Sequence, residues 1–142
     1  MAQRNADADL LLQLCLPALD PVTPEILSRI QMALVGTRAE TAQENLWIVV
    51  AEALNNIAEH AYPTYGLGAV ALRLELTDSV LRVTLVDWGV ALPFGRVTDG
   101  TAPDPSDLSE GGYGWLLIRA LVRDIGYLRE GGQNRLSIIL DI

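Results

Sequence analysis

From Leu46 to Ala61 the apolar residues recur at helical spacing. Leu46, Trp47, Val50, Leu54, Ile57, Ala58 and Ala61 fall on one side, and Glu52, Asn55, Asn56, Glu59 and His60 on the other. The pattern predicts a long helix, opened by Thr37 or Thr41 and ended before Pro63. Upstream, residues 9–19 read as a strand, with Leu10, Leu12 and Leu14 alternating against Leu11, Gln13 and Cys15. Pro21 to Pro24 break it, and Thr23 can cap a helix with Pro24 at its first position, running to about Val35 and ending at Gly36. Val70, Leu72, Leu74 and Leu76 alternate with polar positions, and so do Leu81, Val83 and Leu85; the turn at 77–79 makes them a hairpin. A short helix over Trp115–Val122 and a last strand pair, 125–129 and 135–141 around 130–134, complete the chain. The order strand, two helices, hairpin, long loop, helix, hairpin predicts an α+β fold: two layers, with helices on one face of a mixed, mostly antiparallel sheet.

Composition narrows the classes. At 142 residues, half of them hydrophobic, the expectation is a single globular domain over 1–142. A net charge of -8 argues against direct nucleic-acid binding, which favours a basic patch. No run approaches the roughly 20 apolar residues of a membrane span. The start, MAQRNADADLLLQL, lacks the pattern of a signal peptide, so a soluble, cytoplasmic protein is expected. The lone Cys15 excludes an internal disulfide, and its apolar strand predicts a buried, inert thiol.

Three segments can carry chemistry. The first is AEALNNIAEHAY, residues 51–62, which presents Glu52 and Asn56 one helical turn apart on the polar side. Solvated positions on an ordinary amphipathic helix would look the same. His60, the only histidine, reads as a helix-end hydrogen-bonding residue, which makes a histidine-based metal site improbable. The second segment is VDWGVALP. Asp87 is in phase with Leu81, Val83 and Leu85 and so points to the helix-covered side, where a carboxylate needs a donor such as an adenine amino group. A turn-capping aspartate is the plainer alternative. The third is Gly111-Gly112-Tyr113-Gly114-Trp115 before a helix, where glycines let the backbone approach an anion at a helix N-terminus. Residues 89–113, rich in glycine, proline and acid, form a long loop of the kind that is usually functional.

In order and spacing these parts resemble the GHKL, or Bergerat-fold, ATP-binding domains over essentially the whole chain. AEALNNIAEHAY looks like the N box, VDWGVALP like the first glycine box and EGGYGWLLI like the second. The form EAxxNxxxHAY and the short stretch before it are most similar to the anti-sigma factor serine/threonine kinases. That resemblance implies ATP and Mg²⁺ as cofactors. Asn56 would hold Mg²⁺, Glu52 would be the general base for a protein hydroxyl, and Asp87 would bind the adenine amino group with Gly89 letting the base lie close. Gly112, Tyr113, Gly114 and Trp115 would form the phosphate-facing box, and about Pro93 to Glu110 the lid. Ala91 stands where the first box usually carries a second glycine, and its methyl narrows the space beside the nucleotide. The family also tends to place a threonine near the adenine in the last strands; Asn134, Arg135 and Ser137 stand there, and none is assigned as its equivalent.

The function so implied is an anti-sigma factor that phosphorylates an anti-sigma-factor antagonist protein, as a homodimer whose sigma factor and antagonist compete for one surface. Two alternatives belong to other classes. One is a histidine-kinase-like ATP-binding module acting in trans, since His60 lies inside the N box and no phosphoacceptor helix is recognisable before it. The other is a non-catalytic protein that sequesters its partner, which the altered first glycine box keeps open.

Overall fold

Alternation builds the sheet. In the computed structural model, which describes residues 8–18, 23–61, 68–91 and 110–142, the strands are β1 (Asp9–Pro17), β2 (Ala69–Leu76), β3 (Val80–Asp87), β4 (Asp124–Glu130) and β5 (Gln133–Asp141). Val70, Leu72, Leu74 and Leu76 of β2, Leu81, Val83 and Leu85 of β3, and Leu136, Ile138 and Leu140 of β5 all point to one side and are buried. The strands are ordered β1-β2-β3-β5-β4, and every neighbouring pair is antiparallel. The sheet is therefore antiparallel throughout rather than mixed. β3 and β4, joined across a helix, do run in the same direction, but β5 lies between them and pairs antiparallel with both.

Three helices cover the inner face: α1 (Thr23–Leu34), α2 (Gln43–Asn56) and α3 (Glu110–Leu121). α1 buries Ile26, Ile30 and Leu34, a stripe at four-residue spacing, and the chain turns away through Gly36 at φ +76°. A single 3₁₀ turn, Glu40–Ala42, leads into α2, which buries Leu46, Val49, Val50, Ala53 and Leu54 against the sheet. Past Asn56 the helix widens into a π turn over Ile57–Ala61, ending before Pro63 as the sequence predicts. α3 contributes Trp115 and Ile118 to the same core. It begins at Glu110, five residues ahead of the expected start, so Gly111 and Gly112 lie in its first turn rather than in a preceding loop.

The hairpin β4–β5 closes through Gly131 and Gly132, at φ +58° and +76°. Two consecutive positive-φ residues are what a two-residue hairpin turn demands.

Cys15 departs from expectation: it is exposed. β1 sits at the sheet edge, and among the described residues helices cover only one face of the sheet, so none of them packs over the outward residues of this strand. Its leucines are only partly covered, and a register shift between Leu10 and Leu12 breaks the strict alternation. Among the described residues no helix is long and apolar enough to cross a membrane.

Candidate functional site

The C-terminal end of α2 carries two polar side chains into a place of low solvent access. Asn56 is 2% exposed, and its Nδ2 has no hydrogen-bond partner among the described residues. A buried amide donor left unpaired costs about 1–3 kcal/mol, so an orphan of this kind calls for an explanation. Glu52, one turn earlier, is half-buried. Both side chains meet the beginning of α3. A methyl group added at Gly114 would stand 3.0 Å from Glu52 Oε2 and 3.3 Å from Asn56 Nδ2. Gly114 thus lets a helix backbone close onto a carboxylate and an amide, one turn past the start of α3, whose first N–H groups lack intrahelical acceptors.

The second cluster forms where β3 and β5 end. Asp87 and Asn134 are cross-strand partners, 4% and 3% exposed. Asp87 Oδ1 accepts from the Gly89 amide at 2.9 Å and from Asn134 Nδ2 at 2.8 Å. Asn134 Nδ2 also donates to the Val90 carbonyl at 2.9 Å. Asn134 Oδ1 accepts from the Tyr127 hydroxyl at 2.6 Å and from Arg129 Nη1 at 2.8 Å, and Arg129 donates to the Gly89 carbonyl at 2.9 Å. Burial pushes the Asp87 carboxyl above its ordinary value; the bonds from Asn134 and Gly89 and the Arg129 charge pull the other way without cancelling it. No bond from a described residue reaches Oδ2, which leaves one acceptor oxygen for a ligand.

The two clusters are tied together at the π turn. Val90 N donates to Ala61 O at 2.8 Å. A Cβ at Gly89 would lie 2.2 Å from that same Ala61 oxygen, so this glycine is required by the approach of the helix end. The strand backbone after Asp87 and the π turn that follows α2 therefore meet in one corner.

The structure thus brings Glu52, Asn56 and Gly114 together on one side of the corner, and Asp87 and Gly89 on the other. Ala91 is half-buried just beyond. Gly112 and Tyr113 lie in the first turn of α3. The Trp115 side chain is 5% exposed and belongs to the hydrophobic core, not to the expected phosphate-facing surface. His60 is half-buried in the π turn. The expected lid, about Pro93 to Glu110, lies outside the described residues apart from Glu110. Asn134 was missed as a site residue, yet its signal was present: it continues the inward series Leu136, Ile138 and Leu140, as Asp87 continues Leu81, Val83 and Leu85. A broad concavity of about 850 Å³ lies on the opposite, open face of the sheet beside Arg73, Arg82 and Arg135, away from both clusters. No group of three or more His, Cys, Asp or Glu residues that could hold a metal is found among the described residues.

Comparison with known proteins fits this geometry. Residues 19–140 match the family of histidine kinase-like ATPase domains. The serine-protein kinases RsbW of Bacillus velezensis and Bacillus subtilis are each 30% identical to the chain, over 79% of it and 76% of their own length. RsbW of Bacillus cereus is 27% identical over 80% of the chain and 77% of its own length. Among solved structures, the histidine kinase domain of the Erythrobacter litoralis EL346 blue-light activated histidine kinase superposes with a TM-score of 0.54 at 21% identity, over 88% of this chain and 61% of that one; this likeness speaks to the fold alone. The boxes, the antiparallel sheet under three helices and these relatives agree: the chain belongs to the histidine kinase-like ATPase domain family, in the branch of the RsbW serine-protein kinases.

Proposed function

We propose that the chain is an ATP-binding anti-sigma factor that phosphorylates a serine or threonine hydroxyl of an anti-sigma-factor antagonist protein. The observation that carries this reading is the buried, unpartnered Asn56 amide beside the Glu52 carboxylate, facing the first turns of α3. The residues fit a magnesium–nucleotide. An amide that turns about its last bond offers its oxygen to a cation. A site with one protein oxygen and no acidic cluster suits Mg²⁺, which keeps waters and takes phosphate oxygens as its other ligands. Asn56 would hold the ion, and bound Mg²⁺ would offset the charge of the triphosphate.

The chain's own residues divide the remaining work. Asp87 Oδ2 accepts the exocyclic amino group of adenine, and the tie from Gly89 and Asn134 keeps Oδ1 occupied. Backbone N–H groups of the first turn of α3, around Gly112, face the phosphates at the positive end of the helix, and Gly114 lets that end approach Glu52 and Asn56. Glu52 takes the proton of the attacking hydroxyl as that oxygen bonds to the terminal phosphorus. Dimerisation and competition between sigma factor and antagonist for one surface belong to the same reading.

The test is transfer of radiolabelled phosphate from Mg-ATP to the antagonist protein. Glu52→Ala should reduce transfer at least about a hundredfold, the usual worth of a general base, while Mg-ATP still binds. Transfer by Glu52→Ala at the wild-type rate removes the proton-accepting role. Acid-stable phosphate on the antagonist supports a hydroxyl acceptor, and acid-labile phosphate indicates histidine. Absence of any Mg-ATP binding by calorimetry would leave a protein that only sequesters its partner.

A further inference from the structure

The Asp87–Asn134 pair has an asymmetry that the general reading of the site does not use. Every hydrogen-bonding position of the Asn134 amide is taken: two donations, to Asp87 and to the Val90 carbonyl, and two acceptances, from Tyr127 and Arg129. Arginine can only donate. Arg129 therefore forces the Asn134 oxygen toward β4 and the amide nitrogen toward Asp87. That nitrogen in turn occupies Asp87 Oδ1, already held by the Gly89 amide. With two N–H groups on one oxygen, the carboxylate cannot rotate without losing both. Asn134 and Asp87 lie at 3% and 4% exposure, where loss of a partner is not repaired by water, while Tyr127 is half-buried and Arg129 exposed.

We propose that Asn134, oriented by Tyr127 and Arg129, is a positioning residue that locks the Asp87 carboxylate with one oxygen closed and one open. It thereby sets how strongly the site prefers a base bearing an amino group over one bearing a carbonyl. The inference rests on the reading of Asp87 as the base acceptor. A locked, lone acceptor oxygen meets the adenine amino group as a hydrogen bond and the hypoxanthine carbonyl as a repulsion between two acceptors. A carboxylate free to swing can turn away from the carbonyl, so releasing Asn134 weakens the discrimination rather than the binding as a whole. Tyr127 acts at one remove, through the amide; Arg129 acts through the amide and also through its bond to the Gly89 carbonyl and its charge beside Asp87.

The experiment measures the affinities of Mg-ATP and Mg-ITP, by calorimetry, for wild type, Tyr127→Phe, Arg129→Met, the double variant and Asn134→Leu. Circular dichroism and urea unfolding check that each is folded. Wild type should favour ATP, and the double variant should lower the ATP:ITP ratio about tenfold, the worth of roughly one hydrogen bond. Asn134→Leu should lower it further. Should Asn134→Leu fail to fold, Tyr127→Phe still decides, since it removes a hydroxyl bonded to Asn134 and leaves the Arg129 charge beside Asp87 in place. Equal weakening of ATP and ITP, or an unchanged ratio, overturns the positioning role and leaves Asp87 as the base acceptor. A wild type that binds ATP and ITP equally, or neither, overturns the Asp87 reading and this inference with it.

Discussion

Replacing Gly89 by alanine separates two reasons for a glycine at that position. The family pattern expects it to let a base lie close, whereas the structure turns its missing side chain toward the end of α2. The new Cβ would stand 2.2 Å from Ala61 O, 2.6 Å from Ala61 C and 2.7 Å from Ala61 Cβ. Carbon and carbonyl oxygen settle no closer than about 3.3 Å, so the backbone after Asp87 must retreat by about 1 Å from atoms that are themselves backbone. That retreat takes the 2.8 Å bond from Val90 N to Ala61 O out of range. One lost bond at about 1 kcal/mol and an overpacking cost of about 1–3 kcal/mol sum to roughly 2–4 kcal/mol. With a urea slope of about 2 kcal/mol/M, the unfolding midpoint of the nucleotide-free protein should fall by about 1–2 M, followed by tryptophan fluorescence. Nucleotide affinity should fall as well, because Gly89 N also holds Asp87. If Gly89→Ala keeps the wild-type midpoint and loses only nucleotide, the closure of helix end on strand end is wrong and the base alone demands the glycine.

Four further outcomes follow from the same contacts. Asp87→Asn should raise stability at neutral pH while abolishing adenine recognition. The Asp87 carboxyl titrates above its unfolded value, so its favourable contribution is complete below that value and is lost as pH rises through the folded one; the advantage of the variant should vanish toward pH 4, and a variant less stable than wild type at pH 7 would refute the direction. Gly114→Ala should change the urea midpoint little, because the added methyl meets the movable end of Glu52 and alanine favours the helix by up to about 1 kcal/mol. Phosphate transfer should nevertheless fall, and an unaltered transfer rate would argue against Glu52 at the reaction centre. Cys15 should react with a thiol reagent in the folded protein as fast as in urea; strong protection would mean that something covers that face. Gly131→Ala, at φ +58°, should cost roughly 1–2 kcal/mol in a urea titration with no effect on nucleotide affinity.

Much of the fold was legible because its signals are local. Alternating leucines and valines in β2, β3 and β5 declare a half-covered sheet, and the spacing of Leu46, Val50, Leu54, Ile57 and Ala61 declares the helix that covers it. Asp87 was readable for the same reason: a period of two leaves no choice about its side of the sheet. Cys15 shows the limit of that logic. An apolar strand predicts burial, but whether its outward face meets another layer is a property of the whole assembly of elements. The start of α3 was misplaced because three glycines argue against a helix one residue at a time, and tertiary packing overrides that preference.

What the sequence determined alone is the set of elements, the side of the sheet each residue faces, and the three boxes that mark the family. What only the tertiary structure decided is which of these meet. Asn134 lies 47 residues from Asp87 and became its partner through the pairing of β3 with β5, a register that no local pattern specifies. Gly89 and Ala61 meet across a π turn, and Gly114 closes on Glu52 and Asn56 from a helix far along the chain. Periodicity fixes direction within an element because it depends on backbone geometry alone. Contacts between elements depend on how several apolar faces are buried at once, and that is settled only when the core assembles.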